Sequence, residues 1–180
     1  MLEFINKIDQ TILDFIYENL RCSFLDAFMP IFTHLGYKGI LFIAVGLTLL
    51  FFKKHRKTGL ALLLALLIGF VVGNLFLKNS VCRARPYEIN DGIKLLVARL
   101  NDYSFPSGHT LAAFEFATVI TGFHRRAGFF AILFASVMAF SRLYLYVHFP
   151  TDVIAGAILG ISVGAFSIFV VNKAYKTFAE

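Results

Sequence analysis

The chain has 180 residues, of which 58% are hydrophobic and 16% are charged, and this balance lies far from that of soluble domains. Its formal net charge of +6 could point to nucleic acid, but the basic residues lie in short clusters between apolar runs, as in the loops of membrane proteins. We therefore predict one integral membrane domain over residues 1–180, with the lipid bilayer as its environment and no nucleic-acid partner.

In residues 1–21, apolar side chains recur at spacings of three and four, which predicts an amphipathic N-terminal helix at the membrane surface or against the bundle. Six apolar stretches follow and predict an all-α, polytopic membrane bundle of about six transmembrane helices. They cover residues 23–35, 38–52, 58–77, 109–123, 127–146 and 152–171. The first is short for a crossing and contains Asp26 and Pro30, so it would span the membrane only if tilted or extended.

The polar segment between the third and fourth stretches, residues 79–106, is long enough to predict a functional, active-site loop. Basic clusters at 53–57, 125–126 and 173–176 are separated by even numbers of spans, and the positive-inside rule assigns them and the C-terminus to the cytoplasmic side. The loop and residues 141–152 then share the extracytoplasmic face. Basic residues that break the rule on this face indicate a bound anion; they are Lys78, Arg83, Arg85, Lys94, Arg99 and Arg142.

The first polar cluster consists of Lys78 and, seven residues later, Arg85 followed by Pro86. A structural interpretation makes it a lysine at a helix end and a proline that stops the helix. A functional interpretation makes Lys78 and Arg85 a pair of cations for phosphate oxygens, with the arginine able to bind two oxygens at once.

The second cluster, Pro-Ser-Gly-His at residues 106–109, begins an apolar helix. As structure alone, Ser107 caps this helix. As chemistry, the free N–H groups and the dipole at a helix N-terminus bind anions, Gly108 lets the backbone approach closely, and His109 stands beside the anion.

The third cluster, residues 141–152, places an arginine, a histidine and an aspartate between two long apolar stretches. A structural interpretation makes Arg142 the cation at one helix C-terminus and Asp152 the anion at the next N-terminus. In the functional interpretation, Asp152 holds the imidazole of His148 in one tautomer and raises its nucleophilicity.

In order and spacing, Lys-x6-Arg-Pro at 78–86, Pro-Ser-Gly-His at 106–109 and Ser-Arg-x5-His-x3-Asp at 141–152 resemble the three-part signature of the type 2 phosphatidic acid phosphatase family, in its membrane-embedded bacterial branch. The resemblance implies a lipid phosphatase that needs no metal or other cofactor. It makes His148 the nucleophile that forms a phosphohistidine, Asp152 the residue that orients it, and His109 the acid for the leaving oxygen. The residues that would hold the non-bridging phosphate oxygens are Lys78, Arg85, Ser107, Gly108 and Arg142.

The expected substrate is a lipid phosphate or diphosphate, hydrolysed at the outer face of the cytoplasmic membrane. Undecaprenyl diphosphate is the leading substrate, and phosphatidylglycerophosphate, phosphatidic acid and lipid A phosphate are the alternatives. The alternative of another class is a transporter or an anion-binding membrane protein without turnover. The oligomeric state stays open.

Three further charged residues have weaker interpretations. Glu115 lies within an apolar stretch, and we interpret it as a structural carboxyl group that is neutral or paired inside the bundle. Arg83 and Arg99 are interpreted either as contacts for a second phosphate or a headgroup, or as solvated loop residues.

Overall fold

The structure, a computed structural model, describes residues 2–90 and 92–177, and within these ranges all regular secondary structure is helical. The predicted all-α class is therefore confirmed. The α-helices are α1 (Leu2–Asn19), α2 (Ser23–His34), α3 (Ile40–Phe51), α4 (Arg56–Gly69), α5 (Lys78–Val81), α6 (Pro86–Ile89), α7 (Gly108–Phe123), α8 (Arg125–Tyr144) and α9 (Pro150–Thr177). A π-helical segment, Phe70–Leu77, joins α4 to α5, and 3-10 turns lie at Tyr37–Gly39 and Lys53–His55.

By length and composition, four helical runs in the described residues could cross a membrane: Ser23–Phe51, Lys53–Ile89, Arg125–Tyr144 and Pro150–Thr177. The first run bends between α2 and α3, because Lys38 and Gly39 have left-handed φ angles of 50° and 69°. The 12 residues of α2 extend only about 18 Å, less than the hydrocarbon core of roughly 30 Å. The stretch at 23–35 is therefore too short, as a straight helix along the membrane normal, to cross by itself.

The helix α7 lies at the centre of the bundle and packs along both α8 and α9. Glycines on α9 allow this close approach: a Cβ atom added at Gly160 would lie 2.5 Å from the carbonyl oxygen of Leu111, and one at Gly156 would lie 2.7 Å from that of Ser107. Small residues bring membrane helices into direct backbone contact in this way. The packing fixes the start of α7 beside the start of α9.

We expect Gly160→Leu to destabilise the bundle, because the new side chain would force α9 away from α7. Overpacking of this kind costs about 1–3 kcal/mol. The measurement is the midpoint of thermal unfolding in detergent. Ile161→Leu, at an exposed position on the same helix, is the matched control and should leave the midpoint unchanged. An unchanged midpoint for Gly160→Leu would contradict the α7–α9 packing.

The segment predicted as one polar loop over 79–106 is partly helical. Helix α5 continues to Val81, and Pro86–Ile89 forms the short helix α6. The later part of the segment packs on the bundle, since Leu95, Leu96 and Leu100 contact a buried cluster that contains Tyr87 and Tyr144. The loop is thus held against α8 instead of extending into solvent.

Helix α1 is amphipathic, as predicted, although residue 1 lies outside the described residues. Its inner face buries Asp9, Leu13 and Ile16 against the bundle. Its outer face exposes large apolar side chains at spacings of four and three: Phe4, Ile8, Ile12 and Phe15. Such a face fits the lipid of the membrane interface.

The predicted basic clusters meet at one end of the bundle. His55 Nδ1 lies 3.3 Å from His124 Nε2, and Lys57 Nζ lies 4.7 Å from the centre of the Tyr175 ring. These contacts bring together the α3–α4 turn, the α7–α8 turn and the last turns of α9, as the alternation of spans predicts.

Candidate active site

His148 lies in the short connection between α8 and α9 and is 2% exposed. Its two ring nitrogens face different partners. Nδ1 lies 3.7 Å from Asp152 Oδ2 and 3.4 Å from the hydroxyl of Ser104, whereas Nε2 lies 3.3 Å from an Arg85 NH1 atom. The separation from Asp152 is longer than a hydrogen bond, and such contacts tighten when a substrate binds. The ring therefore has one nitrogen toward a carboxylate and the other toward a cation.

The connection takes this shape because α8 ends in a tight turn and α9 begins immediately. Tyr146 has a left-handed φ of 58°, and the N–H of Val147 donates to the carbonyl oxygen of Arg142 at 3.2 Å. Pro150 starts α9, where its missing N–H is tolerated. His148 is thus fixed between two helix ends.

Asp152 is fully buried, and three donors fix its carboxylate. Oδ2 accepts from Ser104 Oγ at 2.5 Å and from the N–H of Phe149 at 2.9 Å, while Oδ1 accepts from Arg83 NH1 at 2.6 Å. The bond to Phe149 is one half of a capping box at the start of α9. These contacts hold the carboxylate on the Nδ1 side of His148.

Lys78 and Arg85 converge on one carboxylate, that of Asp102. Lys78 Nζ lies 2.6 Å from Asp102 Oδ2, and Arg85 NH2 lies 2.6 Å from Oδ1. Burial alone would raise the pKa of Asp102, but the hydrogen bond from Lys78 and the charges of both cations lower it to about 2. The two cations are therefore spaced to hold two oxygens of one anion, which is the arrangement that phosphate binding requires.

A cavity of about 1280 Å³ opens beside these groups. Of the predicted site residues, those that line it are Lys78, Arg85, Gly108, His109 and His148. His109 faces it next to Gly36, where an added Cβ atom would lie 2.6 Å from the His109 ring. The structure thus brings both histidines and both cations to one space.

Three predicted site residues lie behind the cavity wall in the described part of the chain. Asp152 is one of them, beneath His148. The Ser107 hydroxyl lies 2.9 Å from that of Thr110 and makes no capping bond to the backbone of α7, and the Arg142 guanidinium donates to the Thr33 hydroxyl. For Ser107 and Arg142, contact with a phosphate oxygen stays a prediction.

Sequence reasoning missed two residues of the site and left the role of a third open. Ser104, two residues before Pro106, joins His148 to Asp152, and Asp102 joins the two cations. The third is Arg83, which donates to Asp152 and to Asp9 of α1 and so is neither a freely solvated loop residue nor one of the residues that line the cavity. The indication in the sequence that Arg83 lies near the site was its position two residues before Arg85.

Burial, together with the nearby charges of Arg85 and Arg142, holds the pKa of His148 well below its usual value of 6.5. A histidine with such a pKa carries an unprotonated nitrogen at neutral pH. The nitrogen on the cation side, Nε2, is therefore available for attack on an electrophile held by Lys78 and Arg85.

The lowered pKa predicts the pH dependence of any reaction that uses neutral His148. The acidic limb of kcat/KM, which reports the free protein, should lie below pH 6.5. Asp102→Asn removes a charge that raises the pKa of His148, so the limb should move to still lower pH. The phosphate of the substrate also ionises near pH 6, but this ionisation is the same for the wild type and Asp102→Asn, so it does not affect the difference between their limbs. A limb above pH 6.5, or an upward shift in the variant, would contradict this assignment.

Fold and site together define a helical membrane protein with two histidines and two cations at one cavity. The chain belongs to the PAP2 superfamily, whose family model matches residues 58–176. This confirms the resemblance found in the three motifs, all of which lie within the matched range.

Individual relatives carry several phosphatase names. The chain is 36% identical over 119 residues to an undecaprenyl-diphosphatase of Sulfolobus acidocaldarius, a match that covers 66% of this chain and 57% of that protein. It is 30% identical over 189 residues to a lipid A 4'-phosphatase of Bacteroides thetaiotaomicron, a match that covers 96% of this chain and 81% of that protein. The crystal structure of LpxE from Aquifex aeolicus is similar, with a TM-score of 0.76, 31% identity and coverage of 88% of this chain and 93% of LpxE.

Proposed function

We propose that the protein hydrolyses the phosphate or diphosphate group of a membrane lipid through a phosphohistidine intermediate, without a metal, at the outer face of the cytoplasmic membrane. The observation that carries the proposal is the orientation of His148, with Nε2 toward Arg85 and the cavity and Nδ1 toward Asp152. Membership of the PAP2 superfamily supports the same chemistry.

In the first step, the lone pair of His148 Nε2 attacks phosphorus. A nitrogen–phosphorus bond forms, the bond from phosphorus to the leaving oxygen breaks, and His109 gives its proton to that oxygen. The Nδ1 proton of His148 stays on the ring, which becomes positively charged beside Asp152. Lys78 and Arg85 stabilise the negative charge on the equatorial oxygens, which is the main requirement of phosphoryl transfer.

In the second step, water attacks the phosphohistidine. His109, now neutral, accepts a proton from the water, and the nitrogen–phosphorus bond breaks. Inorganic phosphate leaves and His148 returns to its neutral form. The residues of the chain thus supply the nucleophile, the acid, the base and the charge stabilisation of both steps.

Undecaprenyl diphosphate is the leading substrate. The Sulfolobus acidocaldarius relative bears the name of that activity, although this chain spans only 57% of its length. The cavity supports a lipid with an apolar tail, because apolar side chains such as Leu66, Phe70 and Leu111 form part of its lining. A tail can stay in lipid while the phosphate reaches His148.

A lipid with oxygen-bearing chains, such as lipid A phosphate or a glycerolipid phosphate, is the second candidate. The lipid A 4'-phosphatase relative matches 96% of this chain, and Glu115 provides a structural reason. Glu115 lines the cavity and is buried, and within residues 2–90 and 92–177 its Oε1 atom has no hydrogen-bond partner. It lies about 10 Å along α7 from Gly108, where an ester, amide or hydroxyl near a lipid headgroup would reach it.

A hydrolysis panel separates the two candidates. If undecaprenyl diphosphate is the substrate, its kcat/KM should exceed the values for lipid A phosphate, phosphatidylglycerophosphate and phosphatidic acid. Glu115→Leu should then leave the kcat/KM of undecaprenyl diphosphate unchanged. A preference for an oxygen-bearing lipid, with a loss of about tenfold or more in Glu115→Leu and recovery in Glu115→Gln, would replace the first assignment by the second.

A further inference from the structure

Asp9 of α1 is a buried acidic residue outside the three signature motifs and outside the matched range of the family model, residues 58–176. It is only 1% exposed and contacts the first turn of α9. Its Oδ1 accepts from the N–H of Thr151 at 2.9 Å, and its Oδ2 accepts from the Thr151 hydroxyl at 2.5 Å. The N-terminal helix is thereby bonded to the residue next to Asp152.

Arg83 completes this connection, because its guanidinium bridges Asp9 and Asp152. NH2 lies 2.7 Å from Asp9 Oδ2, and NH1 lies 2.6 Å from Asp152 Oδ1 and 2.7 Å from the Thr151 hydroxyl. The guanidinium carbon lies 4.1 Å from the centre of the Phe149 ring. One planar group is therefore held by contacts on both edges and on its face, which a lysine ammonium cannot reproduce.

The two carboxylates share one cation, so each depends on the bridge. In the described part of the chain, Oδ1 of Asp152 accepts its side-chain hydrogen bond from Arg83, while Oδ2 faces Ser104, the Phe149 N–H and His148. Loss of the Arg83 contact would leave that carboxylate held on one side only. Loss of Asp9 would leave NH2 of the guanidinium with only the longer bond to Asn6 Oδ1, at 3.1 Å, and would leave the charge of Arg83 to Asp152 alone.

We propose that Arg83 is a positioning residue that, anchored by Asp9 of α1, holds Asp152 in the orientation that aligns His148 for attack. Helix α1 is thereby part of the active site, although it contributes no group that touches the substrate. Its outer apolar face, with Phe4 and Phe15 exposed, fits the lipid of the membrane interface, which would hold α1 from the side opposite the bridge. The kinetic readout of this role rests on the proposed function.

The test compares conservative variants of the bridge with matched controls. Arg83→Lys and Asp9→Asn should lower kcat by about 10- to 100-fold with KM unchanged, because a misaligned nucleophile slows chemistry without removing a phosphate contact. Arg21→Lys is the control for Arg83, since Arg21 also pairs with a carboxylate, that of Asp26, and also stacks on an aromatic ring, that of Tyr17. Glu18→Gln, at an exposed position of α1, is the control for Asp9.

A second readout is independent of turnover. The readout is the NMR spectrum of protein labelled with 15N-histidine, in which the signal of His148 is identified by its loss in His148→Gln. In the wild type, the His148 ring should carry its proton on Nδ1. Arg83→Lys and Asp9→Asn should shift it toward a mixture of tautomers, while the controls should not. A lower kcat together with a changed His148 tautomer in the two bridge variants supports the proposal.

Other outcomes overturn one proposal without the other. Unchanged kcat and tautomer in both bridge variants of an active protein would overturn the positioning role. A loss of activity that comes with a lower unfolding temperature and an unchanged His148 tautomer would do the same, because it marks a structural contact only. If the wild-type protein releases no phosphate from any lipid of the panel, the proposed function fails, and the tautomer readout alone decides the role of Arg83.

Discussion

His148→Ala should abolish phosphate release, with a loss on the order of 10⁴-fold or more in kcat, because it removes the nitrogen that attacks phosphorus. The measurement is inorganic phosphate released by purified protein from a polyprenyl or glycerolipid phosphate in detergent. Wild-type activity should persist in EDTA, since Lys78 and Arg85 provide the charge stabilisation that the mechanism needs.

The unfolding temperature of the His148→Ala protein should stay close to that of the wild type, which separates a lost nucleophile from a lost fold. Full activity in the variant would remove His148 from the mechanism. Activity that EDTA stops would replace the metal-free mechanism. A folded, anion-binding wild-type protein without turnover would favour the transporter or binding alternative.

Arg85→Lys should lower kcat/KM by about 10²- to 10³-fold, the usual cost of removing one preorganised donor from a transition state. Arg85 is 1% exposed, and its guanidinium donates at once to Asp102 and to the carbonyl oxygen of Val147, which precedes His148. A lysine keeps the charge but cannot make both bonds in the same plane. Both phosphate binding and the placement of His148 would suffer.

Lys94→Ala is the control for Arg85→Lys, because Lys94 is an exposed basic residue of the same loop segment. Its kcat/KM should equal that of the wild type. An unchanged kcat/KM in Arg85→Lys, with a loss in Lys94→Ala, would mean that general positive charge at this end of the bundle, and not the placement of the Arg85 donors, attracts the substrate.

The sequence was sufficient to predict the helical class, because a long apolar run in a membrane must satisfy its backbone hydrogen bonds internally and an α-helix does so within one segment. It did not reveal the π-helical segment at Phe70–Leu77, because these residues continue the apolar run of the α-helix before them without a break. The break between the stretches at 23–35 and 38–52 was predicted, but the left-handed backbone of Lys38 was not, since such a conformation at a lysine has no signature in residue type.

The candidate site likewise has a part that could be predicted from the sequence and a part that could not. Residues whose proposed roles rest on their own chemistry, such as His148, Lys78 and Arg85, could be selected by type and spacing, and the structure brings them to one cavity. Contacts between distant segments could not be predicted. Arg83 meets Asp9 across 74 residues, and Arg142 meets Thr33 across 109 residues, so only the folded chain shows which partner each cation takes.

The most direct test of the central claim is to trap the phosphorylated protein. His109→Gln should slow hydrolysis of the intermediate more than its formation. The attacking water needs His109 to accept its proton, whereas the phosphate that leaves from a lipid diphosphate is a weak base and needs little help from an acid. After a brief incubation with lipid diphosphate and an alkaline quench, mass spectrometry should find phosphate on the peptide that contains His148, attached at the imidazole. Phosphate on another residue, or an unmodified His148 peptide during active turnover, would contradict the mechanism.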